Sequence, residues 1–162
     1  MINQYSELNE LGWNDWFAQR ANCKPTETVA RVAAVDRDQL LLIDQSGHFR
    51  AKLAGRYLHH HRLNQELPCV GDWVCVEKQS GDSFAMIQAL LERRTSLRRK
   101  TAGNVMDYQM IAANMDYALI VQSCHFDFNP KRLERYLVMV MEGGAEPCIL
   151  LTKTDLVGPA VL

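Results

Sequence analysis

At 162 residues, with 48% hydrophobic and 23% charged side chains, the chain has the make-up of a globular protein with room for one ordinary domain or two small ones. Lys and Arg number 18 against 19 Asp and Glu, a formal net charge of −1, so no overall basic field marks a nucleic-acid binder and any such site must be local. No apolar run reaches membrane-spanning length, and the start, Met1-Ile2-Asn3-Gln4, lacks a signal-peptide form, which argues against a membrane partner.

Residues 1–26 read as a loose N-terminal arm in which Trp13 and Trp16 dock onto a domain, with a short helix over residues 14–20. Residues 27–94 then carry strand patterns and no helical period. The predicted strands cover residues 29–35, 39–44, 48–53, 73–77 and 84–91, separated by polar turns such as Gln45-Ser46-Gly47, Gly71-Asp72 and Ser80-Gly81-Asp82. Five short strands of this kind predict a Greek-key barrel of the oligonucleotide-binding (OB) type. His59-His60-His61, between the third and fourth strands, are too close in sequence to share a tetrahedral metal, and they read as an exposed loop.

A basic run follows, with Arg93, Arg94, Arg98, Arg99 and Lys100. It reads either as a solvated linker, over residues 95–107, or as a contact for a phosphate backbone. The cysteines, Cys23, Cys69, Cys75, Cys124 and Cys148, are odd in number and form no CxxC. Because Cys75 and Cys148 fall in strand-like runs, buried thiols in a reducing cytoplasm are expected rather than disulfides or a zinc site.

Residues 108–162 change character. Tyr117-Ala118-Leu119-Ile120-Val121 is apolar on both faces, as a central parallel strand should be. Asn129 and Pro130 suit a helix start, Leu133, Leu137, Val140 and Met141 recur at helical spacing, and Gly143-Gly144 suit its end. A second strand ends in Thr152-Lys153-Thr154-Asp155. Strand, helix and strand predict a right-handed βαβ unit, whose ligands collect at the carboxyl ends of the strands. A carboxylate there can accept from the N1–H and amino group of guanine together, and a lysine stem can lie along the base. Taken alone, the four residues read first as a strand followed by a polar turn. A GTP-hydrolysing protein also needs a GxxxxGK[ST] phosphate loop, and no Gly-Lys pair occurs in the chain.

Five segments together resemble the ribosome-small-subunit-dependent GTPases of the RsgA or YjeQ type. They are Val70-Gly71-Asp72-Trp73-Val74, Glu92-Arg93-Arg94-Thr95-Ser96-Leu97, Gln109-Met110-Ile111-Ala112-Ala113-Asn114-Met115-Asp116, Arg132-Leu133-Glu134-Arg135-Tyr136-Leu137 and Leu151-Thr152-Lys153-Thr154-Asp155-Leu156. The resemblance covers the chain from the barrel onward. It implies a circularly permuted GTPase, whose guanine motif precedes its phosphate loop, so that the loop would lie beyond Leu162. It further implies an N-terminal OB barrel, the start of a GTPase domain at residues 108–162, and a zinc-binding domain further on. The implied activity is hydrolysis of GTP, bound with Mg²⁺, during late maturation of the small ribosomal subunit. The implied partners are that subunit and its rRNA, bound by a monomeric, cytoplasmic protein. Thr152, Lys153, Thr154 and Asp155 would then bind guanine, and no catalytic or metal-binding residue falls within this chain. Thr152 stands where such motifs more often carry Asn. The competing readings are a stand-alone OB nucleic-acid-binding module and a barrel that binds another protein.

Overall fold

The computed structural model describes residues 6–60, 63–79, 81, 83–101 and 108–158. His61, the turn residues Ser80 and Asp82, and linker residues 102–107 lie outside them.

Strands β1 (Thr28–Val35), β2 (Leu40–Asp44), β3 (Gly47–Leu53), β4 (Trp73–Glu77) and β5 (Ala85–Leu90) close a barrel in the order β1-β2-β3-β5-β4. All neighbours are antiparallel except β3 and β5, which run parallel. This is the OB arrangement expected from the sequence. Period-2 alternation fills the interior: Ala30 and Val32, Leu40 and Leu42, Val74 and Val76, Ala85 and Ile87. Each fully buried aliphatic side chain contributes on the order of 1.5–3 kcal/mol.

A second core lies outside the barrel wall. A 3-10 turn at Ser6–Leu11 and helix α1 (Asp15–Ala18), capped by the Asn14 side chain, lay Leu8, Trp13 and Phe17 over Val29, Trp73 and Cys75. Trp13 meets Trp73 edge-on with ring centroids 4.9 Å apart. The arm is therefore docked rather than loose, and β4 is buried on both faces. The sulfurs of Cys23 and Cys75 are joined here. That corrects the expectation of free thiols throughout: sequence spacing alone did not show that the arm returns to β4. Cys69, Cys124 and Cys148 are free.

His59 and His60 end a short helix, α2 (Gly55–His60), rather than sitting in a loop. The buried Tyr57 hydroxyl of that helix donates to the Glu66 carbonyl at 2.6 Å.

Of the linker expected at 95–107, residues 96–100 are a strand. β6 (Ser96–Lys100) pairs antiparallel with β7 (Tyr108–Ala113). β8 (Tyr117–Ser123) and β9 (Glu146–Thr152) pair in parallel, in register from Tyr117 with Glu146 to Ser123 with Thr152, and α3 (Pro130–Glu142) connects them. Asn129 caps α3, its side chain accepting from the Arg132 N–H. Ile120, Val140 and Ala145 form a small core under α3, with Leu97, Leu133 and Leu137 against it. Tyr117, Leu119 and Val121 are exposed. Among the described residues β8 is thus covered on one face, not the two expected from its composition, because a single helix packs on it.

Barrel and βαβ unit meet at a polar joint. Asp72, fully buried, accepts bidentately from Arg93 Nε (2.8 Å) and Nη2 (2.7 Å), and from the Cys69 N–H (2.8 Å). Gly71 has φ +90°, and a Cβ there would overlap the Ala113 carbonyl oxygen. Asn114, with φ 54°, accepts from the Arg94 N–H at 2.8 Å and donates to the Gly71 carbonyl at 3.2 Å. Arg31 donates to the carbonyls of Leu11, Gly71 and Asn114, tying the arm, the barrel and the second unit together. Gly143, at the end of α3, sits so close to Ser96 that a Cβ would overlap its carbonyl oxygen.

Candidate guanine and nucleic-acid sites

Because β8 and β9 are parallel, their carboxyl ends lie side by side. The Cys124 N–H donates to the Thr152 carbonyl at 2.9 Å, holding the loop after β8 against the end of β9. Thr152 is half-buried, while Lys153, Thr154 and Asp155 are exposed. Lys153 adopts a left-handed conformation, φ 56° and ψ 34°, and a 3-10 turn follows at Thr154–Leu156. Apart from Asn114 it is the one non-glycine residue with positive φ among those described. Such a conformation costs a non-glycine residue roughly 1–2 kcal/mol, and backbone strain of this kind gathers at functional sites. The Asp155 carboxylate has no hydrogen bond or ion pair to another described residue, so its acceptor oxygens are open to a ligand.

The neighbouring loop adds a group that the sequence did not single out. Asp127 receives two hydrogen bonds from Arg132, at 3.0 and 2.8 Å. Those bonds and the Arg132 charge hold the Asp127 carboxyl below the usual carboxylate range, with a smaller contribution from the Lys153 charge. Arg132 Nη2 also donates to Gln122 Oε1 at 3.1 Å, and the buried Gln122 amide donates to the Ser123 and Asp127 carbonyls. The first turn of α3 thereby fixes the loop beside Lys153. The signal lay in Asp127 and Arg132, five residues apart across an N-cap, a spacing that only the bent loop turns into a contact.

The basic residues divide. Arg93 is withdrawn into the joint: besides Asp72, its guanidinium donates to the carbonyls of Gln65 (2.6 Å) and Leu67 (2.8 Å). Burial lowers its pKa, but the hydrogen bonds and charge of Asp72 outweigh that and raise it. Its fork of donors is engaged within the fold, unlike that of the exposed cations expected beside it to face RNA. Arg94 pairs with Asp116 at the surface. Arg98, Arg99 and Lys100 are exposed on β6. Arg98 stacks over the Tyr108 ring at 4.4 Å, and Arg99 donates to Gln109 Oε1 at 3.0 and 2.8 Å. These cross-strand contacts make a basic ribbon of β6 and β7 rather than a flexible tether. In the joint, burial first and then the Asp72 charge push the Cys69 thiol up to about 12.

The chain is similar to known proteins in sequence and in fold. Residues 90–161 match the RsgA GTPase family. The chain is 36% identical over 159 residues to the small ribosomal subunit biogenesis GTPase RsgA of Opitutus terrae, covering 92% of this chain and 43% of that protein. It is 38% identical over 158 residues to RsgA of Syntrophotalea carbinolica, with the same coverages. With RsgA 2 of Listeria monocytogenes it shares 41% identity over 150 residues, covering 93% of this chain and 41% of the relative. The chain thus spans less than half the length of the relatives it matches. Among solved structures, YloQ, described as a circularly permuted GTPase, aligns with a TM-score of 0.59 at 23% identity, over 87% of this chain and 46% of YloQ. YjeQ from Thermotoga maritima aligns with a TM-score of 0.61 at 20% identity, over 83% and 44%. The fold is accordingly that of an OB-type barrel followed by the opening βαβ unit of such a GTPase. Residues 90–161 thus resemble the RsgA GTPase family, and the chain as a whole aligns with part of the RsgA proteins it matches.

Proposed function

We propose that this chain is the RNA-contacting and base-reading part of a GTPase that acts on the small ribosomal subunit late in its maturation. The observation that carries the reading is Asp155: an exposed carboxylate without a partner among the described residues, one turn past the carboxyl end of β9, beside a left-handed Lys153. Thr152–Asp155 read the guanine edge, and the Lys153 stem lies along the base. The β6–β7 ribbon, through Arg98, Arg99 and Lys100, meets phosphates of ribosomal RNA, with Arg94 at its margin. The barrel at 27–94 and the arm at 1–26 form the RNA-side unit, and residues from 108 onward form the nucleotide-side unit.

GTP in its Mg²⁺ form is the nucleotide, and the whole protein works in the cytoplasm as a monomer. No residue of this chain is assigned to Mg²⁺ or zinc. The one Cys/Glu cluster among the described residues has its sulfurs joined to each other, which does not fit a zinc ligand set. No described helix is long and apolar enough to cross a membrane. The chain contains no GxxxxGK[ST] loop, so the groups that cradle phosphates and hold Mg²⁺ are not among its residues.

Phosphate release and nucleotide competition test the reading. This chain incubated with GTP should release phosphate no faster than buffer. The whole protein should bind a labelled guanine nucleotide that unlabelled GTP displaces and ATP does not. Equal displacement by ATP, or hydrolysis by this chain at an ordinary GTPase rate, would contradict it.

A further inference from the structure

One reactive cluster has no part in either proposed site. Cys23 lies between α1 and β1, and Cys75 lies in the middle of β4, 52 residues on. Their sulfurs are bonded, with Cα atoms 5.5 Å apart. The Glu27 carboxylate and both sulfurs lie within 4.8 Å of one another. The Glu27 side chain is 5% exposed, and it accepts from the Lys24 N–H at 3.0 Å. The bond crosses the contact that holds the arm to the barrel, where Trp13, Trp16 and Phe17 pack with Trp73. Apart from this bond, the arm is held by that packing, by Arg31 donating to the Leu11 carbonyl, and by a surface pair between Arg20 and Glu92 at 3.5 Å.

We propose that Cys23 and Cys75 form a reversible thiol–disulfide site that fastens the N-terminal arm onto β4. Disulfides are uncommon in a reducing compartment, where those that do form are characteristically transient and redox-sensing. The two cysteines differ in access in the way a two-step exchange requires: Cys23 is half-exposed, and Cys75 is 1% exposed. The Cys23 thiolate attacks one sulfur of a small disulfide such as oxidised glutathione. A Cys23–glutathione mixed disulfide forms and one glutathione leaves as its thiol. Cys75 gives up its proton and attacks the Cys23 sulfur, forming the Cys23–Cys75 bond and releasing the second glutathione. The two protein thiols lose two electrons and two protons, which leave in the two glutathione thiols, and excess glutathione reverses both steps.

The surroundings favour this pair over the other cysteines. Cys69 is buried in the joint with its thiol pushed up to about 12, and Cys124 is also buried. Cys148 is exposed, but no other free cysteine among those described is exposed with it, and a mixed disulfide there would have no ready second thiol to resolve it. Once formed, the bond keeps the outer face of β1 and β4, with Val29 and Trp73, under the arm. Once reduced, the arm keeps the packing and the Arg31 and Arg20 contacts but loses its covalent tie.

The test uses purified protein equilibrated at a series of reduced-to-oxidised glutathione ratios. Thiols are trapped by alkylation and peptides are identified by mass. Cys23 and Cys75 should leave the alkylated pool together, in one two-electron transition, and appear as one linked peptide. The same samples should report the arm. All three tryptophans of the chain lie in this cluster, so their emission should change across the same transition. Trypsin should cut after the exposed Arg20 at least about tenfold faster in the reduced protein, as expected for a segment released into local opening. Cys23→Ser should behave as the reduced protein does at every ratio. Cys23 and Cys75 remaining separately alkylated at every ratio would overturn the proposal. Linkage without any change in emission or cutting would overturn the fastening. One equivalent of zinc retained by the reduced protein and lost in Cys23→Ser would overturn it in favour of a metal site. The wild-type series decides the first two of these even if the variant fails to fold.

Discussion

In the barrel, β4 is enclosed on both sides, with Val74 and Val76 turned inward and Trp73 and Cys75 under the arm. In the βαβ unit, β8 is covered by α3 on one side, while Tyr117, Leu119 and Val121 stand 62–68% exposed. At the barrel's joint three charged residues, Asp72, Arg93 and Arg31, bond inward. The second unit leaves Asp155 and the β6 cations facing outward. Near residue 94 buried and exposed cations lie close in sequence: Arg93 is engaged inside the fold, while Arg98, Arg99 and Lys100 are exposed.

The largest expected effect lies at the enclosed end. Arg93→Ala strands the Asp72 carboxylate in the interior without its counter-ion, a loss of about 3–5 kcal/mol. Urea unfolding should register it as a lower midpoint, whereas a change under 1 kcal/mol would mean that the joint tolerates a bare carboxylate.

The Cys69 thiol gives the joint a pH signature. Its folded value, about 12, lies above the ordinary 9.0. The protonated thiol is therefore favoured by folding, and this contribution is whole below pH 9 and declines between pH 9 and 12. Allowing for solvent screening, the decline should be on the order of 1–2 kcal/mol. Cys69→Ala should flatten the difference between stability curves measured from pH 8 to 11. An unchanged slope would place Cys69 outside the low-dielectric joint.

Smaller still is the expected effect at the outward-facing end. Arg98→Ala with Arg99→Ala should leave folding unaltered and lower the slope of log affinity against log salt for small-subunit RNA by roughly 0.7–0.9 per phosphate contact removed. An unchanged slope would take the ribbon out of the interface, and with it the division of labour between Arg93 and its neighbours.

Much of this organisation was legible in the sequence. The barrel strands showed themselves by alternation and polar turns, and α3 by Asn129, Pro130 and the Leu133–Val140 spacing. These are local signals, and local geometry decides them. What remained illegible is contact between distant segments. The basic run read as a linker because β6 pairs with β7 across the residues 101–107, a longer connection than a two-residue hairpin turn. Arg93 looked like any surface arginine because its partner Asp72 lies 21 residues back. The arm looked loose because its bond to Cys75 spans 52 residues. Several of the segments that carry the family resemblance also read differently once folded. Gly71-Asp72, Arg93-Arg94-Thr95 and Ala113-Asn114 converge on the joint, where they hold two units together, while the Thr152–Asp155 segment lies at the proposed guanine site.

That last segment carries the central claim, and Asp155→Asn in the whole protein tests it most directly. Two acceptor oxygens become one acceptor and one donor, which opposes guanine's amino group and suits the carbonyl oxygen that xanthine carries in its place. Sites built on hydrogen bonds to a base edge discriminate on the order of 10⁴ when a partner is left unpaired. The measurement is affinity for GTP and for XTP, parent against variant. GTP affinity should fall and XTP affinity should rise, with the fold intact. A variant that binds GTP as tightly as its parent would make Thr152–Asp155 a polar turn and nothing more.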